Sequence, residues 1–362
     1  MKICIVGGGN IGTAIAVELA HSGHSINVLT SRPRDWSRTL TAVDFDGRLL
    51  FDGEINLATS DVRTAIDGVD YIFVTLPSNV QAAFAQQVLP FVDDGMKFVM
   101  HPGFGGAEFI FRNTAGNQRD IRLYGLRRVH AIARLHEYGH SVWFDKKRSI
   151  EIAAMSNDDL ETVGAEIGEM FDMPCETLPN YLCVTLTPSN PVLHTSRLYT
   201  MFRAFDRPFD ANKLFYADWT DEASEVLFAL DEEVQSICHS LDEADLRSVL
   251  SLKTHYESDT PRALTEKLRS IESLSRILSP MKQTADGWVP DFDNRYFACD
   301  FRYGLDILEQ FASLLRLHAP MMNEVMSWYR RAARVNEHAI DLADFGLHSK
   351  RDIYDYYNIR TR

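Results

Sequence analysis

The chain has 362 residues, of which 45% are hydrophobic and 24% charged, and a formal net charge of −14. That length points to two domains, and the composition to ordinary globular cores. The acidic balance argues against a nucleic-acid partner, and no run of about 18 or more apolar residues is there to span a membrane. Five scattered cysteines without a CxxC pair argue against a disulfide framework or a metal site and for a reducing compartment. A buried strand starts within two residues of Met1, leaving no room for a leader, so the expected location is cytoplasmic.

Lys2–Val6 is a short apolar, β-rich run of the kind buried in a parallel sheet. Gly7-Gly8-Gly9-Asn10-Ile11-Gly12 follows and satisfies GxGxxG through Gly7, Gly9 and Gly12, with a helix predicted over Thr13–Ser22. The three glycines serve a tight turn, close approach of backbone to a pyrophosphate, and packing of helix on strand. The helix start, including Asn10 and Ile11, offers free N–H groups to phosphate. A second strand, Ser25–Thr30, ends in Ser31-Arg32-Pro33-Arg34 where an NAD enzyme tends to carry an acidic residue. A hydroxyl and two guanidinium groups suit a 2′-phosphate, so NADP is preferred over NAD; the alternative is that the arginines are solvated loop charges.

Helices are predicted over Val62–Gly68, Ala82–Leu89 and Asp158–Phe171, and strands over Asp70–Leu76, Lys97–Met100, Ser149–Ala154 and Tyr181–Leu186. Leu76-Pro77 closes one strand and His101-Pro102-Gly103 follows another, the strand ends at which a doubly wound sheet receives its ligand. The expected fold is therefore an α/β Rossmann domain, doubly wound on a mainly parallel sheet, over residues 1–180. An all-α substrate domain follows over 181–362. Its helices are predicted at Glu222–Leu241, Ala263–Leu278, Gly304–Leu317 and Met322–Asn336, with Pro280–Asp293 as an ordered loop.

Two segments of the second domain hold residues suited to chemistry. His194, in Thr187–Ser196 at the domain junction, is the side-chain type best fitted to exchange protons near neutral pH, though a lone histidine is more often structural. Arg295 and Asp300 precede a long helix. An arginine suits a substrate carboxylate and an aspartate can orient a histidine, but residue types alone favour an Arg295–Asp300 ion pair.

Together the Gly-rich start, Leu76-Pro77-Ser78, Pro102–Gly106, Ala133–Gly139, His194 and above all Asn294-Arg295-Tyr296 followed by Asp300 resemble the octopine/nopaline (opine) dehydrogenase family. Such enzymes have a 6-phosphogluconate dehydrogenase-like C-terminal domain. They condense an amino acid with a 2-oxo acid and reduce the imine with NADH or NADPH. The resemblance implies His194 as general acid/base, Asp300 as its orienting partner, Arg295 as the anchor for a substrate carboxylate, and Asn190 as a polar group near the nicotinamide. Phe104 and Arg128 depart from some members where the oxo acid is handled; Arg128 is either a pocket residue for a larger or more acidic oxo acid or a surface charge. A ketopantoate-reductase-like oxo-acid reductase is the rival enzyme, but it needs a lysine where this chain has His194, and Lys213 is the first lysine after it. A non-catalytic NADP-binding sensor is the rival of another class. The three tyrosines of Asp352–Tyr357 fit a homodimer interface or packing within their own domain, and both stay open.

Overall fold

The computed structural model describes residues 1–115, 121–156 and 159–360. Two compact units emerge, Met1–Thr185 and Leu186–Arg362.

The first unit carries twelve strands among its described residues: β1 (Lys2–Val6), β2 (Ser25–Leu29), β3 (Thr39–Val43), β4 (Leu49–Glu54), β5 (Leu57–Thr59), β6 (Tyr71–Val74), β7 (Lys97–Met100), β8 (Arg122–Leu126), β9 (Ala131–Glu137), β10 (Ser141–Lys146), β11 (Ile150–Ala154) and β12 (Cys175–Thr177). Eight of them form one sheet in the order β12-β11-β8-β7-β6-β1-β2-β5. Every neighbouring pair is parallel except β8–β11. The chain order reverses at β1, which lies between β2 and β6, and this switch point is where open α/β sheets leave a crevice for ligand. Strands β1 and β6 read as near-continuous apolar runs because helices cover both faces of a parallel sheet.

The helix Asn10–His21 leaves β1 through the glycine loop. It stops at Ser22 because Gly23 takes a left-handed φ of +83°, and the Gly23 and His24 amides then donate to the Ala20 and Leu19 carbonyls. Its Glu18 is 5% exposed and lies 2.9 Å from both His130 Nε2 and Lys146 Nζ, an ionic tie to β10 and the loop before β9. Those two strands belong to a second sheet of order β4-β3-β10-β9.

Several sequence expectations change. Tyr181–Leu186 is not a strand: Leu182–Thr185 is a helical turn. The outer edge of β11 is already paired with β12, while Tyr181 is buried and donates its hydroxyl to the Gly103 carbonyl at 3.0 Å. The second sheet itself has no counterpart in the expectations. The segment Pro280–Asp293 contains an antiparallel hairpin, Met281–Thr284 with Gly287–Pro290, that bridges Phe209. The helix expected over Asp158–Phe171 runs Leu160–Met170, and Asp158 lies outside the described residues.

Apart from that hairpin the second unit is helical. Asn190–Phe202 and Asp221–Ser240 pack together, joined by Pro261–Ser270, Asp306–Leu314 and Pro320–Ala333. The helix expected over Ala263–Leu278 ends at Ser270. In the core Phe297, Phe301 and Tyr329 stack nearly parallel, with Phe301 and Tyr329 4.2 Å apart. Burial of one such ring contributes about 1.5–3 kcal/mol. Tyr354, Tyr356 and Tyr357 are buried, and the Tyr354 hydroxyl bonds Asp242.

Candidate active site

In the first unit the glycine loop has the shape a dinucleotide needs. A Cβ on Gly12 would lie 1.8 Å from the Gly7 carbonyl oxygen, so the close approach of helix to turn admits no side chain there. Gly7 has φ +107°, with Thr75 Oγ1 2.7 Å and Leu76 Cδ2 3.2 Å from where its Cβ would stand. Nothing lies within 4 Å of a Cβ on Gly9, the N-cap of the helix, and no side chain caps that end. The first helical bond is Thr13 N–H to the Gly9 carbonyl, which leaves the amides of Asn10, Ile11 and Gly12 without a helical acceptor, an arrangement suited to phosphate. Open space at the cap and uncapped amides behind it fit the pyrophosphate of a dinucleotide.

Asn10 has a further role, since its side-chain oxygen accepts from the Leu135 amide at 3.0 Å and pins the loop to β9. Leu76 is half-buried against the loop and Pro77 is exposed at the start of Ser78–Val88. Ser31 and Arg32 are exposed. The Arg32 guanidinium lies 3.7 Å over the Tyr138 ring, whose hydroxyl bonds Thr30 Oγ1 at 2.8 Å. Arg128 is half-buried in the loop after β8, beside Arg127 and Lys147. Burial, helped by the Arg128 charge, pushes Lys147 down to about 8 and Arg127 to about 10. Arg127 is ion-paired with Glu151.

The second unit brings His194 and Asp300 together. His194 follows Asn190 by four residues on the helix Asn190–Phe202, so the two project from one face; His194 is 3% exposed and Asn190 half-buried. Asp300 stands at the start of a wide π-helical turn, Phe301–Leu305, in which the Leu305 amide donates to the Asp300 carbonyl at 2.8 Å. Its Oδ2 lies 2.7 Å from His194 Nδ1. Gly304 allows this approach: a Cβ there would be 2.5 Å from Pro191 Cγ, one residue into the histidine helix. An ionised carboxylate only accepts, so Nδ1 carries hydrogen and Nε2 of the neutral ring presents its lone pair. Tyr296 stacks on the imidazole at 4.1 Å and 16°. Arg295, the first residue of the turn Arg295–Ala298, is exposed and has no carboxylate partner among the described residues. The Arg295–Asp300 ion pair favoured by residue type alone is therefore absent, because Asp300 pairs with His194.

Sequence reading misses Tyr216, whose hydroxyl lies 3.0 Å from His194 Nε2. It sits in a segment without a motif, and only folding brings it to the histidine. Gly304 escapes for the same reason: its role is a contact, not a pattern.

A family model described as NAD/NADP octopine/nopaline dehydrogenase, alpha-helical domain, matches residues 177–333. One described as NAD-dependent glycerol-3-phosphate dehydrogenase N-terminus matches residues 2–103. An octopine dehydrogenase of Mizuhopecten yessoensis is 23% identical across 91% of this chain and 89% of its own length. A tauropine dehydrogenase of Arabella iricolor is 22% identical across 91% and 90%. Among solved structures, an octopine dehydrogenase with NADH and L-arginine superposes with a TM-score of 0.80 at 20% identity, covering 98% of this chain and 97% of that one. A 2-dehydropantoate 2-reductase of Geobacter metallireducens is more distant, with a TM-score of 0.63 at 12% identity over 92% and 100%. The family models and relatives thus support NAD(P) as the cofactor, and over residues 177–333 the chain matches the octopine/nopaline dehydrogenase helical domain.

Proposed function

We propose that this protein is an opine dehydrogenase, joining an amino acid to a 2-oxo acid through an imine that is then reduced with NAD(P)H. The observation that carries the reading is the His194–Asp300 bond, part-buried and within the residues that match the octopine/nopaline dehydrogenase helical domain. When bound, the nicotinamide supplies hydride.

The chain's own residues do the rest. Asp300 holds the imidazole in the Nδ1–H tautomer and offsets the charge when Nε2 takes up a proton. His194 is then the acid/base of the reaction, taking up the proton released by the attacking amine and supplying the one that the imine nitrogen gains. Arg295, exposed and unpaired by carboxylate, anchors a substrate carboxylate bidentately. Asn190, one turn before His194, offers an amide to the reacting centre. Ser31 and Arg32 favour NADP, because a guanidinium already flattened on Tyr138 suits a 2′-phosphate. The cationic surroundings of Arg128 support its contact with an oxo acid of greater negative charge. Octopine and tauropine dehydrogenases are similar to this chain to the same degree, so neither amine is assigned to it. The ketopantoate-reductase reading has no support from lysine: Lys213 is exposed and His194 bonds Tyr216 and Asp300. Five free thiols fit the cytoplasm.

The test is oxidation of NADPH, and separately NADH, by purified protein with pooled amino acids, pooled 2-oxo acids, and both. Oxidation that needs both pools, and that His194→Ala abolishes without loss of cofactor binding, is the expected result. Oxidation with oxo acids alone moves the assignment to a simple reductase, and none with any pool overturns it.

A further inference from the structure

The His194 ring is hemmed in. Tyr296 covers one face, Phe215 meets it edge-on at 5.3 Å and 89°, Asp300 occupies Nδ1, and the Tyr216 hydroxyl occupies Nε2. In the neutral ring Nε2 has only a lone pair, so the Tyr216 O–H is the donor. After Nε2 gains a proton, the 3.0 Å contact persists only if the roles invert, Nε2–H donating and the phenolic hydrogen turning elsewhere. The next protic atom along the line from Asp300 is therefore the Tyr216 oxygen.

Tyr216 is held in that place by its neighbours. Arg197, three residues after His194 on the same helix, donates to the carbonyls of Phe215 at 3.3 Å and Asp218 at 2.6 Å. Arg269 donates to the Trp219 carbonyl at 2.7 Å, and the Tyr216 ring stacks against Trp219 at 11°. Both sides of Tyr216 are thus tied by guanidinium groups, that of the buried Arg197 and that of Arg269, an exposed residue, which fixes the phenol against the imidazole.

We propose that Asp300, His194 and Tyr216 form a three-member relay in which the Tyr216 hydroxyl is the group that exchanges the proton with the substrate nitrogen. This rests on the opine dehydrogenase reading. In the reductive direction the Tyr216 O–H bond breaks as the N–H bond of the iminium forms. The phenolic oxygen is reprotonated from His194 Nε2–H, whose bond breaks in turn. One positive charge passes from imidazolium to substrate nitrogen, Asp300 stays a carboxylate, and no electrons are transferred in these steps. Tyr216 is then a catalytic residue and His194 the reservoir behind it.

Tyr216→Phe keeps the ring and removes the hydroxyl. The expected result is a kcat about 100-fold lower, with both substrate KM values and the cofactor Kd within about twofold of the parent, because only proton transfer is impaired. A structural role would instead disturb binding and melting temperature along with kcat. A second readout needs no turnover. In protein labelled with 15N-histidine, the His194 Nε2 resonance, identified by its loss in His194→Asn, moves in Tyr216→Phe. The unsubstituted protein also shows a slowly exchanging phenolic proton coupled through space to the His194 ring. A variant kcat within about threefold of the parent, an unmoved Nε2 resonance, or a missing phenolic contact in the unsubstituted protein overturns the relay. If no amino acid and oxo acid pair is turned over, the opine reading fails by itself, while the resonance measurements still decide the relay.

Discussion

Gly304→Ala tests whether the close packing of the π-helical turn on the histidine helix sets the His194–Asp300 bond. A methyl group at 304 would stand 2.5 Å from Pro191 Cγ and 2.6 Å from its Cβ. Carbon atoms in contact prefer about 3.5–4.0 Å, so the two segments must part by roughly 1.2 Å. A proline ring has no rotamer by which to withdraw, and the turn moves as a piece because the Leu305 amide binds the Asp300 carbonyl. Displacement of that size takes the 2.7 Å His194–Asp300 contact beyond hydrogen-bond reach. Misplacement by about 1 Å costs on the order of 100-fold in kcat, and overpacking about 1–3 kcal/mol of stability. Steady-state kinetics with the active substrate pair, a melting curve, and a fluorescence titration of NADPH separate the effects: kcat and stability fall, cofactor affinity does not. Gly12→Ala should give the mirror image, since its methyl would sit 1.8 Å from the Gly7 carbonyl oxygen and spoil cofactor binding first. A folded Gly304→Ala enzyme with the parent kcat would refute the geometric argument.

Arg32→Ala should weaken NADPH by about tenfold, one charge-assisted contact, and leave NADH nearly unchanged; equal weakening of both cofactors would remove Arg32 from the 2′-phosphate. Asp231 is 1% exposed, and burial raises its carboxyl from 3.8 to about 6. A raised folded-state value means that the folded protein holds the proton more tightly than the unfolded one. Its stabilising effect is complete below 3.8 and is lost as pH rises through about 6. A shift of roughly two units corresponds to about 3 kcal/mol at most. Asp231→Asn keeps an acceptor for the Leu252 amide, which now donates to Oδ2 at 2.7 Å, and lacks the ionisation. Its stability relative to the parent should therefore climb between pH 4 and pH 7.5, and a flat difference across that range would contradict the assignment.

What the sequence discloses depends on how local the cause is. The β1–glycine–helix start is legible because each glycine answers a constraint from residues a few positions away, as Gly12 against Gly7 illustrates. Strands β3 and β10 pair across 100 residues, Ser141 with Thr41, and neither segment announces its partner, so the second sheet stays hidden. Tyr181–Leu186 has the residues of a strand, but β12 occupies the edge it would have joined. His194 and Asp300 are 106 residues apart, and only the family resemblance links them in the sequence. Tyr216 has no such cue; a phenol 22 residues from the histidine becomes its partner through the fold alone.

Arg197 is 4% exposed and spends its charge on two backbone carbonyls instead of a carboxylate. Burial lowers it to about 10, which still leaves it a cation at neutral pH. Dissolved ions screen exposed charges within about 8 Å at physiological ionic strength and reach buried ones poorly. The Arg197 arm of the clamp on Tyr216 is accordingly insulated from the salt content of the medium, whereas Arg32 and Arg295 face it directly. Ionic strength would then govern how readily anionic ligands are captured, and have little hold on the speed of the proton step once they are bound.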